Sequence, residues 1–168
     1  MATDTPHISL RPLSFNDAKS LMKVFTDSEL LQYWSRGPVK HIDELREYMT
    51  WNVENEKVQS FAIVKVEEPQ DALGWVALVE KSAVMDHIGI ILRASEHGNG
   101  YATTALRQAI DICKEERQKK IIEADIDPEN KKSIALFEKS GFKKDRIQKG
   151  AWQTHLGVRD SVFYTRRL

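Results

Sequence analysis

HIGIILRASEHGNGYATTAL, residues 87–106, joins an apolar run of strand length to an amphipathic helix through a loop that contains two glycines. Gly98 and Gly100 lie between a strand predicted to end near Arg93 and a helix predicted to begin near Tyr101. The first N–H groups of a helix lack carbonyl partners and attract anions, and glycine lets a phosphate come close to the backbone. The segment therefore predicts either an anion-binding loop or a tight turn that only leads into the helix.

Two common phosphate-binding motifs do not fit this loop. The P-loop requires GxxxxGK followed by Ser or Thr, a string that the sequence lacks. The dinucleotide fingerprint requires a third small residue where Thr103 stands, together with an initial parallel βαβ unit. An ordinary nucleotide-binding domain is therefore disfavoured.

Outward from this segment, the hydrophobic pattern predicts one mixed α/β domain over residues 1–168. Three apolar runs separated by turn residues are typical of an antiparallel meander and cover residues 60–66, 72–80 and 87–93. The other predicted strands, of which the last two are joined by a long turn, cover residues 7–13, 120–127, 142–146 and 158–164. The predicted helices cover residues 16–25, 41–57, 101–115 and 130–140.

Composition and charge narrow the possible partners. Lys+Arg and Asp+Glu number 25 each, without a long block of one sign, so we expect no nucleic-acid partner. The five histidines include no pair at helical metal-ligand spacing, and one cysteine cannot form a cysteine-rich zinc site, so we expect no metal. That cysteine, Cys113, lies on an apolar helix face and is expected in the core.

The distribution of apolar residues gives no sign of an export or membrane segment. MATDTPHISLRPL, residues 1–13, contains an acidic residue and no apolar core of signal-peptide length. No later segment is apolar over a membrane-spanning length. We therefore expect a cytoplasmic protein without a membrane partner, small enough to enter a nucleus. Either a monomer or a homodimer fits the sequence.

Three motifs together carry a resemblance to a known family. HGNGYA, residues 97–102, resembles the pyrophosphate loop of the GNAT acetyltransferase superfamily. The surrounding segment and DPENKKSIALFEKSGFKK, residues 127–144, resemble the Rim-type branch, which acetylates protein N-termini and some small amines. GVRDSVFYTRRL, residues 157–168, is similar to the closing strand of that branch, so the resemblance covers residues 7–168.

The resemblance implies an α/β (α+β) fold whose mixed, largely antiparallel central sheet is flanked by helices and splayed where acetyl-CoA binds. It implies direct transfer of an acetyl group from acetyl-CoA to a primary amine. Backbone contacts to the pantetheine arm are implied for Ile90, Ile91 and Leu92, and a pyrophosphate cradle for His97, Gly98, Asn99, Gly100, Tyr101, Ala102 and Thr103. On the later helix, the implied cofactor contacts are Asn130, Ser133 and Phe137.

Acetyl transfer from a thioester requires a neutral amine, a donor to the tetrahedral oxyanion and a proton for the departing thiolate. The resemblance assigns the oxyanion donor to a strand N–H, that of Ile91 or Leu92. Many family members use a tyrosine as the acid where this chain has Phe137, and a phenyl ring has no proton to donate. Ser133 is the nearest replacement, unless its hydroxyl only bonds its own helix backbone.

The general base has three candidates. His87 stands where related sequences have a glutamate, and a histidine can accept a proton near neutral pH. Glu80 and Glu123 on neighbouring predicted strands are alternatives, and each of the three also fits an ordinary strand residue. An α-amino acceptor with a pKa of about 8 needs a base less than a lysine-like amine with a pKa of about 10.4.

The aromatic loop LLQYWSRGPVK, residues 30–40, offers side chains to hold the amine, namely Tyr33, Trp34 and Arg36. Trp152 in the late turn either closes the acceptor channel or packs, and Trp51 and Trp75 are expected in the core. The mixed charge of these loops does not indicate whether the acceptor is a protein N-terminus, a small amine or a polyamine. We expect an acetyl-CoA-dependent N-acetyltransferase. The alternative is a non-catalytic acetyl-CoA sensor or interaction module, because Phe137 replaces the tyrosine.

Overall fold

A seven-stranded mixed sheet forms the centre of the computed structural model, which describes residues 7–168. The strands are β1 (Ile8–Pro12), β2 (Val58–Lys65), β3 (Gly74–Ser82), β4 (Met85–Leu92), β5 (Ile121–Ile126), β6 (Lys143–Thr154) and β7 (Gly157–Arg167). Their order is β1-β2-β3-β4-β5-β7-β6, and every neighbouring pair is antiparallel except β4 and β5. The expected mixed, largely antiparallel sheet is confirmed. The expectations for residues 1–6 lie outside the described residues.

Helices cover both faces of this sheet: α1 (Ala18–Phe25), α2 (Ile42–Glu54), α3 (Tyr101–Glu115) and α4 (Lys131–Lys139). Strand residues alternate between the faces, so Ile88 of β4 packs into the core under α3 and α4, whereas Ile91 packs under α1 and α2. Cys113 of α3 is buried in the first of these cores, as predicted. None of the helices formed within residues 7–168 is both long and apolar enough to cross a membrane.

The tryptophans divide between core and surface. Trp75 of β3 is 1% exposed, as predicted, but Trp51 of α2 is 51% exposed. The prediction was wrong for Trp51 because Leu45, Met49 and Asn52 fill the buried side of α2, and residue 51 lies on the outer side of the helix.

β4 and β5 pair along only part of their length. Their parallel register covers three residue pairs and ends at His87 opposite Glu123. Beyond this point β4 continues to Leu92 along β3, whereas β5 continues to Ile126 along β7. The two strands therefore diverge in the middle of the sheet and leave a cleft of about 1040 Å³, which is the expected splay.

The late turn predicted over residues 148–157 is mostly strand, because β6 and β7 form a long hairpin with a two-residue turn. Their register shifts between Gln148 and Trp152. In this bulge Gly150 has a φ of 59°, and its N–H donates to the Asp160 carboxylate at 2.9 Å. The prediction of a long turn was wrong because the bulge puts turn-forming residues inside a paired strand.

The end of β4 away from the cleft is closed by buried charges. Asp86 is fully buried and receives two hydrogen bonds from the Arg117 guanidinium, one of them at 2.9 Å. Lys119, also buried, donates to Glu80 at 2.7 Å, and its Nζ lies 3.7 Å from Asp86. This network ties β3 and β4 to the segment that follows α3.

Candidate active site

The cleft between β4 and β5 runs from the loop of residues 97–100, the glycine loop, to the β6–β7 hairpin. We call its far end, lined by Tyr33, His87, Asp125 and Trp152, the hairpin end. The predicted residues that line the cleft are Tyr33, Trp34, His87, Ile90, Ile91, Leu92, His97, Gly98, Gly100, Tyr101, Ala102, Thr103, Asn130, Ser133, Phe137 and Trp152. Those that do not line it are Arg36, Glu80, Asn99 and Glu123.

The backbone of β4 presents alternate residues to the cleft. The N–H of Arg93 donates at 2.7 Å to Leu73, just before β3. Antiparallel pairing repeats every two residues, so the backbone groups of Ile91 also face β3. Those of Ile90 and Leu92 face the side from which β5 has diverged. Ile90 therefore offers its N–H and carbonyl to an extended ligand. Leu92 offers its N–H, which faces the cleft, whereas the N–H of Ile91 does not.

The glycine loop has the geometry of an anion cradle. Gly98 and Gly100 have φ values of 83° and 76°, in the left-handed region that favours glycine. The first N–H of α3 with a helical partner is that of Thr104, which donates to Gly100. The three preceding N–H groups have no backbone partner within residues 7–168. Free N–H groups at a helix start suit a pyrophosphate, since they donate hydrogen bonds and lie at the positive end of the helix dipole.

Two side chains fix this loop to the protein instead of facing a ligand. The His97 ring nitrogen Nε2 lies 2.8 Å from the Leu92 carbonyl. Asn99 donates to the Glu96 carbonyl at 3.2 Å and points away from the cleft lining. The cradle is therefore made of backbone groups.

The start of α4 forms the opposite wall. Asn130 caps the helix, because its Oδ1 accepts the N–H of Ser133 at 3.2 Å. The Ser133 hydroxyl forms no hydrogen bond with any residue that the structure describes, so it does not bond its own helix. Phe137 is 2% exposed and packs edge-on against Phe142, with ring centroids 5.0 Å apart. Its ring gives the cleft an apolar wall.

His87 lies in a polar cluster where β4 and β5 diverge. Its Nε2 is 2.8 Å from Asp125 Oδ1, and Asp125 Oδ2 accepts hydrogen bonds from Trp152 at 2.5 Å and from Ser161 at 3.2 Å. The Nδ1 of His87 is buried, forms no hydrogen bond among residues 7–168, and lies 3.8 Å from Glu123. Neither ring nitrogen is free at the cleft. The geometry therefore does not support direct proton acceptance by His87 from a substrate.

Asp125 carries negative charge in this cluster. Burial opposes its charged form, but the hydrogen bonds from His87, Trp152 and Ser161 outweigh it and lower the pKa of the Asp125 carboxyl below its ordinary value. The hairpin end of the cleft therefore contains a fixed carboxylate. No His, Cys, Asp and Glu group in the described chain, this cluster included, has the arrangement of a metal site.

The two predicted glutamate bases lie outside the cleft. Glu80 is at the far end of β3, where the hydrogen bond from Lys119 lowers the pKa of its carboxyl. Glu80 pairs with Asp86 next to the turn between β3 and β4, at the end of β4 that lies away from the cleft. Glu80 is therefore separated from the candidate site. Glu123 lies beside His87 and accepts a hydrogen bond from Arg146 at 2.9 Å.

The aromatic loop of residues 30–40 is partly engaged by the protein itself. Tyr33 and Trp34 line the cleft, and the Trp34 indole donates to the Tyr48 hydroxyl at 2.8 Å. Arg36 lies over the Tyr48 ring, 4.9 Å from its centroid, and outside the cleft. Tyr33 and Trp34 remain candidates to hold an acceptor, whereas Arg36 anchors the loop to α2.

The cleft lining also includes residues that the sequence did not single out, among them Gly89, Asp125 and Arg159. A Cβ at Gly89 would meet no atom within 4 Å, so open space replaces a side chain there. Arg159 of β7 donates to Asp127 at 2.7 Å and to Glu129 at 2.6 Å, in the loop between β5 and α4. The available signal was the alternation in EADID, which puts acidic residues at every second strand position and so on one face.

Known proteins resemble this chain in sequence. The family model for the acetyltransferase (GNAT) domain matches residues 7–143. The uncharacterized protein YkkB of Bacillus subtilis is 34% identical over 145 residues, which cover 82% of this chain and 83% of that protein. The spermidine N(1)-acetyltransferase of Vibrio cholerae is 23% identical over 137 residues, which cover 80% of this chain and 78% of that protein.

Solved structures share the fold. The crystal structure of spermidine N-acetyltransferase from Vibrio cholerae in complex with CoA and spermine has a TM-score of 0.82 at 20% identity and covers 96% of this chain and 95% of its own. That of the acetyltransferase (GNAT family) from Bacillus anthracis has a TM-score of 0.84 at 19% identity and covers 98% and 96%.

The chain belongs to the GNAT acetyltransferase family. It is an N-acetyltransferase, and acetyl-CoA is its acetyl donor. The free N–H groups of the glycine loop suit the pyrophosphate of this donor, and the unpaired edge of β4 suits its pantetheine arm.

Proposed function

We propose that the chain acetylates a primary amine of a small polycation, which enters the cleft at its hairpin end. The observation that carries this proposal is a continuous cleft from the glycine loop past Gly89 to an acidic end. A donor bound along β4 and an amine from the hairpin end would meet beside Gly89, where no side chain fills the space.

The charge of the cleft supports a cationic acceptor. Seven acidic residues and four lysines or arginines line it. Three of the four basic residues belong to α4. The acids other than Glu96 belong to the segments around the hairpin end and are Asp27, Glu29, Asp125, Asp127, Glu129 and Asp160. Acids gathered in a cleft raise the local concentration of a cation. The related Vibrio cholerae enzyme, whose structure holds spermine, supports the same acceptor class.

In this proposal the backbone aligns the donor. Ile90 holds the pantetheine arm as a neighbouring strand would, and the glycine loop binds the pyrophosphate. The Leu92 N–H donates to the oxyanion of the tetrahedral intermediate, and the Ser133 hydroxyl donates a hydrogen bond to the departing sulfur. The ammonium form of the amine loses one proton to water in the open cleft before attack, because both ring nitrogens of His87 face carboxylates. The second proton leaves the nitrogen as the tetrahedral intermediate collapses and passes through water to the CoA thiolate.

The test is a panel of amines incubated with protein and acetyl-CoA. Mass spectrometry detects acetylated product, and a thiol assay detects released CoA. We expect spermidine and spermine to be acetylated faster than monoamines of similar size. Gly89→Leu, which fills the meeting point, should lower the rate on the order of 10²-fold, whereas Gly89→Ala should retain most of it. An equal rate for Gly89→Leu and the unaltered protein would contradict the proposed meeting point.

A protein N-terminus is the second acceptor class. The resemblance of residues 127–144 to the Rim-type branch favours it. Peptides with free α-amines therefore belong in the same panel, and their acetylation without that of polyamines would replace the polycation proposal. CoA binding without acetylation of any amine would instead support the sensor alternative, which Phe137 keeps open.

A further inference from the structure

The tip of the β6–β7 hairpin touches the aromatic loop of residues 30–40. His155 lies in the two-residue turn of the hairpin, and Gly37 lies in the aromatic loop. A Cβ at Gly37 would lie 3.0 Å from Cδ2 of the His155 ring and 3.6 Å from its Cβ. The φ of Gly37 is outside the left-handed region, so the backbone conformation does not require glycine there. The missing side chain therefore makes room for His155, and we call this approach the tip contact.

Hydrogen bonds hold both partners of the tip contact in place. In the aromatic loop, the Val39 N–H donates to the carbonyl of Phe25 at 2.8 Å and ties the loop to the end of α1. In the hairpin, the Thr154 hydroxyl donates to the carbonyl of Gly157 at 2.9 Å, across the turn. The tip contact therefore joins two segments whose own hydrogen bonds fix their positions.

The tip contact connects two walls of the hairpin end of the cleft. Residues 33–35 of the aromatic loop line the cleft, and so do Trp152 and Thr154 of the hairpin. Gly37 and His155 come directly after these lining residues in the chain but do not line the cleft themselves. They therefore meet outside the lining and bridge the two walls. An acceptor reaches the hairpin end by passing along the bridge end-on, because the contact closes the sideways path between loop and hairpin.

We propose that Gly37 and His155 determine acceptor specificity, because the tip contact admits a narrow, unbranched amine and excludes an amine with a wide group beside the reacting nitrogen. The inference rests on the proposed function, which places the acceptor at the hairpin end. A wide acceptor has to separate the loop from the hairpin, and closely packed groups resist such displacement. Steric exclusion of this kind gives specificity without any added attraction for the preferred acceptor.

The first test is a disulfide across the tip contact, in the double variant Gly37→Cys/His155→Cys. The distance of 3.6 Å between the two Cβ positions lies in the range of about 3.5–4.5 Å that disulfides require. The chain's own cysteine, Cys113, is buried. We expect a mild oxidant to join the introduced pair, with a loss of two hydrogens detected by mass spectrometry of the monomer. Each single cysteine variant, treated in the same way, is a matched control and should form no such bond.

The second test compares two diamines of equal charge. Hexamethylenediamine is a flexible chain, and para-xylylenediamine has the same number of carbons between its nitrogens but contains a ring. The oxidised double variant should acetylate hexamethylenediamine with a kcat/KM within a factor of about two of that of the unaltered protein. Its kcat/KM for para-xylylenediamine should be about tenfold below that of the reduced double variant, which lacks the imidazole and is free to open. CoA affinity, measured by calorimetry, should be the same in all forms.

His155→Ala, which needs no oxidant, should also favour para-xylylenediamine relative to the unaltered protein. Leu156→Ala is the matched control, since Leu156 is the other residue of the turn and is 64% exposed. It should keep the preference of the unaltered protein.

Four results would overturn the inference. They are absence of the disulfide in a double variant that binds CoA, equal effects of oxidation on both diamines, loss of all acetylation on oxidation, and an unchanged preference in His155→Ala. Acetylation of peptides without that of polyamines would overturn the polycation proposal alone if oxidation slowed only peptides with an aromatic first residue, and both proposals otherwise. Failure of every amine and peptide to be acetylated would also overturn both.

Discussion

Ser133 lies in the first turn of α4 with its N–H held by Asn130 and its hydroxyl unengaged by any residue of 7–168. A hydroxyl that donates to the sulfur mainly as the thiolate departs lowers the barrier without strengthening the binding of the donor. Ser133→Ala should therefore lower kcat on the order of 10²-fold. CoA affinity, measured by calorimetry beside the steady-state rates, should stay within a factor of about two.

Ser20→Ala is the matched control for this change. Ser20 lies on α1, and its hydroxyl donates to the carbonyl of Gln70 at 3.4 Å. Its kcat should equal that of the unaltered protein. If Ser133→Ala also kept its kcat, the hydroxyl would have no role beyond packing.

The ionisation of Asp125, in the cluster at the hairpin end, makes the stability of the fold depend on pH. Its pKa in the folded protein is lowered, so its contribution to stability is complete above the unfolded value of about 3.9 and is lost as the pH falls through the folded value. Asp125→Asn should lower the free energy of unfolding by about 2 kcal/mol at neutral pH, because His87 and Trp152 lose a charged acceptor. Urea unfolding over a pH series should show that the difference in the free energy of unfolding between this variant and the unaltered protein decreases as the pH falls.

Asp111→Asn serves as the control, since Asp111 is exposed on α3. It should change the free energy of unfolding little at any pH. If the difference in the free energy of unfolding between Asp125→Asn and the unaltered protein stayed constant at acidic pH, the Asp125 charge would not stabilise the fold.

Single residues were predictable where their backbone conformation restricts the type of residue. Gly98 and Gly100 could be recognised because positive φ before a helix start favours glycine. The cluster around His87 could not, because Asp125, which contacts His87, and Trp152, which donates to Asp125, come from strands that meet only in the folded sheet. The spacing of residues along the chain contains no information on which nitrogen of a histidine is covered.

Among the elements, β7 determines the position of the loop that leads into α4. Arg159 forms a fork with Asp127 and reaches Glu129, and this loop ends at the helix cap Asn130. Arg159→Gln should therefore raise the KM for acetyl-CoA about fivefold and leave kcat nearly unchanged. Arg159→Lys should restore little of the affinity, because an ammonium cannot form the fork.

Steady-state kinetics at varied acetyl-CoA measures both constants. Arg46→Gln provides a control of the same chemistry, since it breaks an exposed ion pair with Asp43 on α2. Its KM should not change. An unchanged KM in Arg159→Gln would show that the loop keeps its position without β7.

Element boundaries were predictable where periodicity continued to the end of the element. The meander and α3 follow their hydrophobic patterns, whereas the β6–β7 hairpin does not. Most of β6 is exposed, so apolar alternation does not mark it, and Gly150 lies in its middle. The hairpin is held by pairing such as Trp152 with Arg159, which sequence patterns do not encode.

On the scale of the whole molecule, β4 has one closed end and one open end. At the closed end, away from the cleft, Arg117 donates hydrogen bonds to the buried Asp86 carboxylate. These bonds raise the pKa of the Arg117 guanidinium, which therefore stays charged. Arg117→Gln removes both guanidinium hydrogen bonds from that carboxylate and leaves Lys119, at 3.7 Å, as its one neighbouring cation among the described residues, so it should lower the free energy of unfolding by about 3 kcal/mol.

Thermal and urea unfolding measure this loss, and CoA titration below the melting temperature should give the affinity of the unaltered protein. Lys114→Gln, one turn earlier on the same segment, should be neutral in both measurements. A weakened CoA affinity in folded Arg117→Gln would contradict the independence of the two ends.

The divergence of β4 from β5 also affects how fast backbone amide hydrogens exchange with deuterated water. The Ile91 N–H faces β3, but those of Ile90 and Leu92 face the cleft. Without a ligand, exchange along these three residues should be fast, slow and fast. Bound CoA should slow the outer two and leave the middle one unchanged. A strand in the centre of the sheet would then have the solvent protection of an edge, and the protein would complete its own sheet only with its substrate.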